Sequence, residues 1–292
     1  MRAVHGLLLV ASLLAVSACA DEPALSGTTQ AVTTTNKIAL NKIALNKIAL
    51  NKIALNKIAL NKIALNKIAL NTIAAADLLD SAENREVLEY LISCAIPSGV
   101  TLEGTAADGV TYSFGGSLGL APRWDTRRLT LGERRWVSAC MLARVNNGGH
   151  SILISLRGPH NALTVTAAEA NEYYLEEGSF YGDIFTPAGE DPVFLACRGS
   201  DLVAGELDST FALRQCTQPT AEGSTTLCGM TYAGDCADHG SAWACTTATG
   251  SFYERCHATP STTGTWDEGI TNRYEEVITV FVKAGPVGIG GP

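Results

Sequence analysis

Apolar residues follow three successive patterns along this chain. Residues 6–16 form a mostly apolar run, and residues 36–70 repeat the pentapeptide Asn-Lys-Ile-Ala-Leu seven times. Beyond residue 76, apolar positions recur at helical spacing in a few segments and alternate with polar positions in many others. Recurrence at three to four residues indicates helices, and alternation indicates strands. The pattern therefore predicts an α+β domain with a few helices, in which strands dominate the second half.

Three helices are predicted in this domain. Glu83–Cys94 carries its apolar residues on one face, with Asp80 as its cap. Arg134–Arg144 follows a Thr-x-x-Glu capping box that begins at Thr130. A shorter helix is predicted over Ala167–Leu175.

A hairpin and several single strands complete the predicted elements. The hairpin turns at Asp108-Gly109, a dipeptide that is typical of tight turns. The predicted strands are Val100–Glu103, Val110–Phe114, Ser151–Leu156, Val193–Cys197, Thr210–Cys216, Thr226–Ala233 and Glu276–Lys283, with a cysteine-linked ladder over Cys236–Cys256. The glycine-bracketed segment Glu177–Gly182 predicts a loop, which either packs as a turn or presents Tyr181 to a sugar or peptide.

The repeat permits three structures. In a β-solenoid, Ile38 and Leu40 point inward and each Asn-Lys pair forms a corner, a pattern similar to the pentapeptide-repeat fold. In an α-helix, equivalent residues shift by about 140° per copy, so no apolar stripe forms. A flexible or partner-dependent segment is the third alternative. In each case the expected role is that of a spacer.

Export and a lipid anchor are predicted at the N-terminal end. Residues 1–18 have the form of a signal peptide, and Ala15-Val16-Ser17-Ala18-Cys19 resembles a bacterial lipobox. Cys19 is therefore the expected lipidation site, and its palmitoyl and other acyl chains would hold the protein on a membrane. The predicted segments are a signal peptide (1–18), a flexible tether (19–35), the repeat (36–75), a cysteine-rich α+β domain (76–285) and a flexible tail (286–292).

Eight further cysteines indicate disulfides. An even number of cysteines in an exported domain predicts four bridges formed in an oxidising compartment, and the two first helices favour a bridge between Cys94 and Cys140. The remaining cysteines are Cys197, Cys216, Cys228, Cys236, Cys245 and Cys256. Zinc is the rival interpretation at Cys236–His257, but the spacing there matches no standard finger, so no metal is expected.

Charge is unevenly distributed along the chain. Seven of the eight lysines lie in the repeat, whereas residues from 72 onward hold 13 basic and 27 acidic residues, a net charge of −14. Nucleic acid is not an expected partner, because phosphate binding needs clustered cations. The repeat lysines either form a solvated face or contact anionic lipid headgroups.

Four segments carry a family resemblance. They are Glu83–Gly99, Arg135–Cys140, Glu177–Gly182 and Ala196–Gly199. Together they resemble uncharacterised exported lipoproteins of myxobacterial type, in which similar pentapeptide tracts precede a cysteine-rich domain. The resemblance covers about residues 75–285. It implies a location in the cell envelope, at the outer membrane or cell surface, and implies no particular activity.

No strong catalytic motif is present, which favours a protein without enzymatic activity and without a cofactor. The weak catalytic candidates are His150, His160, Glu176, Glu177 and Asp183, because a histidine beside a carboxylate can perform general acid–base catalysis. The sequence therefore predicts a membrane-anchored lipoprotein that displays a binding or adhesion domain on a repeat spacer. Its ligand would be a surface protein or a glycan. The alternative is a secreted hydrolase or toxin-like effector that uses the histidine and carboxylate set.

Overall fold

The computed structural model describes residues 33–36, 38–39, 79, 81–146, 152–185, 192–203, 214, 216–237, 245–248, 251–257 and 273–283. All of them belong to one compact unit that begins at Ala31. Within it, helices and strands are mixed and four disulfides link the chain, so the predicted α+β class is confirmed. None of the helices described is both long and apolar enough to cross a membrane.

The first two helices are close to their predicted positions. Helix α1 spans Ala82–Ala95, and its cap is Ser81, whose hydroxyl accepts a hydrogen bond from Asn84 N at 3.1 Å. The predicted cap at Asp80 is therefore wrong by one residue, because Ser81 has the extended backbone that a capping residue needs. Helix α2 spans Leu131–Ala143 and has the full capping box predicted at its start.

The predicted hairpin is confirmed. Strand β3 (Thr101–Thr105) pairs antiparallel with strand β4 (Thr111–Gly115). In the turn, Asp108 accepts a hydrogen bond from Val110 N at 3.0 Å, and Gly109 has a φ of 85°. The dipeptide thus supplies both a side-chain acceptor and the left-handed residue that the turn requires.

Six of the described strands form the central sheet. They are Thr33–Asn36 (β1), Ile152–Arg157 (β6), Leu175–Asp183 (β7), Val193–Arg198 (β8), Thr231–Asp235 (β9) and Ile278–Val282 (β14). Their order in the sheet is β1-β6-β14-β7-β8-β9, and neighbouring strands are antiparallel, except that β8 and β9 are parallel. Helices α1 and α2 pack with one core of the molecule, and a second core contains two disulfides.

Short elements connect these strands. They are β2 (Ile38–Ala39), β5 (Val145–Asn146), a 3-10 helix (Asn161–Leu163), α3 (Ala167–Glu172), α4 (Ser200–Val203), β10 (Thr246–Ala248), β11 (Phe252–Glu254), β12 (Cys256–His257) and β13 (Arg273–Tyr274). The strand predicted over Thr210–Cys216 lies almost entirely outside the described residues.

Strand β7 corrects two predictions. Helix α3 ends at Glu172, so Leu175 opens a strand instead of closing a helix. The segment predicted as an aromatic loop is the middle of β7, and Tyr181 is fully buried. A Cβ atom on Gly178 would lie 2.2 Å from the Cys197 carbonyl oxygen. The glycine is thus required by close strand packing, and Tyr181 is unavailable to a sugar or peptide.

The chain contacts the domain on both sides of the repeat. Strand β1 pairs with β6, and strand β2 pairs in parallel with β5, although both precede most of the repeat. Leu79, just after the repeat, is fully buried in the first core. Residues 33–35, which the sequence assigned to a tether, thus lie in strand β1. Residues 40–78 lie outside the described residues, so the three alternatives for the repeat remain predictions.

Four disulfides link the domain, as predicted. Cys94 in α1 pairs with Cys140 in α2, and this is the pairing that the sequence favoured. The other pairs are Cys197–Cys236, Cys216–Cys228 and Cys245–Cys256. All eight cysteines are buried, so each disulfide lies within packed structure.

Candidate functional site

His160 takes a structural position among the predicted catalytic residues. It caps the 3-10 helix, and its Nδ1 accepts a hydrogen bond from Ala162 N at 3.1 Å. Its ring centroid lies 5.2 Å from that of Trp136, and burial lowers its pKa. A neutral imidazole that accepts one hydrogen bond and lies tilted against an indole ring has a packing role. His150, the other candidate histidine, lies outside the described residues.

Asp183 is engaged at the end of β7. Its carboxylate accepts a hydrogen bond from Arg134 at 2.9 Å and another from Phe185 N at 2.9 Å. Burial raises the pKa of Asp183, and these donors oppose the rise. The carboxylate thus anchors helix α2 to the strand, and both of its oxygens are engaged.

Glu177 forms a buried ion pair with Arg214. Arg214 also donates to the Ala143 carbonyl oxygen at 2.8 Å, at the end of α2. Burial raises the pKa of Glu177, and the Arg214 charge opposes the rise. The pair joins β7 to the last turn of α2.

Within the described part of the predicted catalytic set, Glu177 and Asp183 do not share one site. Glu177 and Asp183 are six residues apart on a single strand, a separation of about 20 Å at 3.3 Å per residue. General acid–base partners must be within hydrogen-bond reach of one substrate. No hydrogen bond or ion pair within residues 152–185 joins His160 to any of the three carboxylates. This arrangement gives no support to the hydrolase alternative.

The structure instead assembles a network around Arg157 at the end of β6. The guanidinium lies 3.7 Å from the centroid of the Phe281 ring, on the adjacent strand β14. Its Nε donates to the Ser155 hydroxyl at 3.3 Å, and its Nη2 donates to the Tyr173 carbonyl oxygen. A cation that is stacked and hydrogen-bonded in this way is held rigidly on the face of the sheet.

Glu169 approaches this network from helix α3. It follows Thr166 in a Thr-x-x-Glu pattern, and Glu169 N donates to the Thr166 hydroxyl at 3.2 Å. Its side chain, however, is turned inward, and neither carboxylate oxygen has a hydrogen-bond partner among the described residues. Burial raises the pKa of Glu169. The Ser155 hydroxyl and the Arg157 charge oppose the rise.

Glu176 borders the network from strand β7. Its Oε1 accepts a hydrogen bond from Ser200 N at 2.9 Å, and its own N donates to Asp201 at 2.6 Å. Burial raises the pKa of Glu176, while the Ser200 amide and the Tyr253 hydroxyl oppose the rise. The Arg157 guanidinium interacts electrostatically with both the Glu169 and the Glu176 carboxyl groups.

This network, formed by Ser155, Arg157, Glu169 and Glu176, is suited to joining elements. It connects β6, α3 and β7, and through Ser200 it reaches α4. The Glu169 oxygens are enclosed. Burial raises the pKa of both carboxyl groups, but the enclosed Glu169 oxygens offer no surface to a ligand. We therefore assign the network a role within the fold.

Arg157 and Glu169 were not among the residues predicted from the sequence. Two signals were present: a second Thr-x-x-Glu pattern, and an arginine that ends an apolar strand two residues after Ser155. Neither signal reveals that Glu169 turns away from its cap. That outcome depends on the sheet face beneath α3.

The cysteines of the Cys236–His257 stretch are all in disulfides, which removes the zinc ligands of the rival interpretation. Across the ranges that the structure describes, no group of three or more histidine, cysteine or acidic residues is arranged to hold a metal ion. His257 contributes its backbone carbonyl oxygen, which accepts a hydrogen bond from the Tyr181 hydroxyl at 3.1 Å.

Comparison with protein-family models, with curated proteins and with solved structures gives no match to this chain.

Proposed function

We propose that this chain is an exported bacterial lipoprotein that presents a disulfide-stabilised binding domain at the cell envelope. The observation that carries the proposal is the set of four buried disulfides in one α+β domain. Such bridges persist in oxidising compartments outside the cytoplasm and are rare within it. The proposed anchor is the acylated Cys19, which precedes the described residues.

Binding suits the domain better than catalysis. Two of the predicted catalytic carboxylates, Glu177 and Asp183, form ion pairs with arginines. The predicted catalytic histidine His160 caps a short helix. These groups stabilise the fold that presents a surface. The ligand we propose is a surface protein or a glycan. The strong acidic charge beyond residue 72 favours ligands with basic groups over anionic ones.

The fold changes the role that we propose for the repeat, from a spacer between anchor and domain to an insertion within the domain. Strands β1 and β2 contact the domain no later than the first copy of the repeat, and Leu79 is buried after the last copy. The repeat is then an insertion between two docked segments of one domain. The reach from Cys19 would be set by residues 20–32, which extend to about 45 Å at most. Copy number would change the inserted segment and leave that reach unaltered.

The anchor is tested by labelling cells with an alkyne analogue of palmitate. The full-length protein should incorporate the label and sediment with membranes, whereas Cys19→Ser should lose the label. Ser17→Ala is the matched control, since it keeps a small residue before the cleavage site and should still be labelled. Retention of label in Cys19→Ser, or an unlabelled wild-type protein, would refute lipidation at this residue.

The role of the repeat is tested with lipidated protein on a supported bilayer, by neutron reflectometry. Deletion of residues 41–60, which removes four whole copies, should leave the height of the domain above the bilayer unchanged. Deletion of residues 22–29 should lower it, because it shortens the proposed tether. A height that falls with the number of copies would instead establish the repeat as the spacer.

A further inference from the structure

Two different disulfides contact each other in the second core. Cys197 of strand β8 is bonded to Cys236, and Cys245 is bonded to Cys256 of strand β12. The Cys197 and Cys245 sulfurs are 3.8 Å apart, which is van der Waals contact. All four cysteines are fully buried. A sulfur of one bridge is therefore placed directly against a sulfur of the other.

The backbone places these cysteines in adjacent positions. Cys245 N donates a hydrogen bond to the Cys236 carbonyl oxygen at 3.2 Å, and Cys236 N donates to Arg198 O at 2.8 Å. Cys197 and Cys236 have Cα atoms 5.0 Å apart. Three cysteines thus come from neighbouring backbone segments, so a new bridge between Cys197 and Cys245 requires little movement of the chain.

The Cys216–Cys228 bridge has different surroundings. Its sulfurs lie 3.2 Å from the Val145 carbonyl oxygen and 3.4 Å from the Arg214 carbonyl oxygen. Like the Cys245–Cys256 bridge, it is buried and closes a short loop, but its sulfurs contact carbonyl oxygens and not other sulfurs. It is therefore a matched control for chemistry that depends on contact between sulfurs.

We propose that Cys197, Cys236, Cys245 and Cys256 form a thiol–disulfide exchange site. A dithiol reductant first opens the Cys245–Cys256 bridge, which takes up two electrons and two protons while the dithiol becomes a disulfide. The Cys245 thiolate then attacks the Cys197 sulfur. A Cys197–Cys245 bond forms, the Cys197–Cys236 bond breaks, and Cys236 leaves as a thiolate.

This exchange would move a covalent link at the edge of the sheet. Cys236 directly follows β9, the outermost strand beside β8, and its bridge ties that end of the strand to β8. After exchange, β8 is instead linked to the segment that precedes β10. The site would thus convert the arrival of a dithiol into the loss of the covalent link between the edge strand β9 and β8. Because thiolates are disfavoured in apolar surroundings, the exchange should be faster at higher pH.

The test uses Cys256→Ser in the whole exported protein, which leaves Cys245 without its partner and needs no reductant. Acid quenching, alkylation and peptide mapping then locate the free thiol. Cleavage after Trp243 separates Cys236 from Cys245. Label on Cys236 together with a Cys197–Cys245 cross-link is the expected result. Label confined to Cys245, with the Cys197–Cys236 bridge intact, would overturn the proposal.

Cys228→Ser is the control variant, and its free thiol should remain on Cys216. A second measurement covers the case in which Cys256→Ser does not fold. The wild-type protein is exposed briefly to dithiothreitol, quenched with acid and mapped in the same way. A transient Cys197–Cys245 peptide, increasing with pH, supports the exchange. Loss of the native bridges without that peptide rejects it.

Discussion

Glu177 and Arg214 form an ion pair in which the two side chains are 1% and 0% exposed. One partner lies in β7, and the other also donates to the last turn of α2 through Ala143. Burial of both charges is costly unless each is compensated by the other. The pair therefore stabilises this packing only while both partners are present.

Glu177→Leu should destabilise the protein by about 3–5 kcal/mol, because it leaves the Arg214 charge buried without a partner. The double variant Glu177→Leu/Arg214→Met should recover most of that loss. Urea unfolding of both variants measures the difference. Equal losses in the single and double variants would mean that side-chain packing, and not the unpaired charge, decides the effect.

Two glutamates in Thr-x-x-Glu patterns should respond to pH in opposite directions. Hydrogen bonds from Arg127 and Thr130 lower the pKa of Glu133 although burial alone would raise it, whereas burial raises the pKa of Glu169. A carboxyl group with a lowered pKa stabilises the folded protein at pH values above its ordinary pKa, and that contribution is lost as the pH falls. A raised pKa favours the folded protein at low pH, and that contribution is lost as the pH rises.

We therefore expect Glu169→Gln to be more stable than wild type at pH 7.5 and equal to it below about pH 4. Glu133→Gln should be less stable than wild type at pH 7.5, by about 1 kcal/mol, and should approach wild type in acid. Thermal unfolding of the three proteins across this range tests both signs. A loss of stability in Glu169→Gln at pH 7.5 would mean that the Arg157 charge outweighs the burial of Glu169.

The Cys94–Cys140 and Cys216–Cys228 bridges close loops of different length, with sequence separations of 46 and 12. The chain-entropy model gives them about 4 and about 3 kcal/mol. Replacing both cysteines of a pair by alanine should therefore cost about 1 kcal/mol more for the longer loop. Denaturant unfolding measures both. A reversed order would show that local packing outweighs loop entropy here.

Gly178→Ala should disrupt the central sheet, because its Cβ atom would meet the Cys197 carbonyl oxygen at 2.2 Å and its φ is 149°. We expect a loss of more than about 2 kcal/mol or failure to fold. Gly115→Ala in β4 is the control, since no atom lies within 4 Å of its Cβ position. Its effect should be within about 0.5 kcal/mol.

Elements with local signals could be predicted from the sequence. Two of these signals depend only on neighbouring residues: the capping box before α2 and the Asp-Gly turn between β3 and β4. The third is the even number of cysteines, which follows from the pairing that disulfides require. Strand β7 was predicted as a loop because glycines on both sides of an aromatic pair are also typical of turns. Only the close approach of β8 shows why Gly178 has to be glycine. The cap of α1 was predicted one residue too early, at Asp80 instead of Ser81, because aspartate and serine are both good capping residues.

The sequence by itself determined the class of the domain, its two first helices, its hairpin and its disulfide content, because periodicity, capping and cysteine number are properties of short stretches. It also raised the prediction of an anchored, exported protein. Tertiary structure alone decided that β1 joins the sheet ahead of the repeat, that Glu169 turns inward and that Cys197 touches Cys245. These features arise from contacts between residues distant in sequence, for which no local pattern exists.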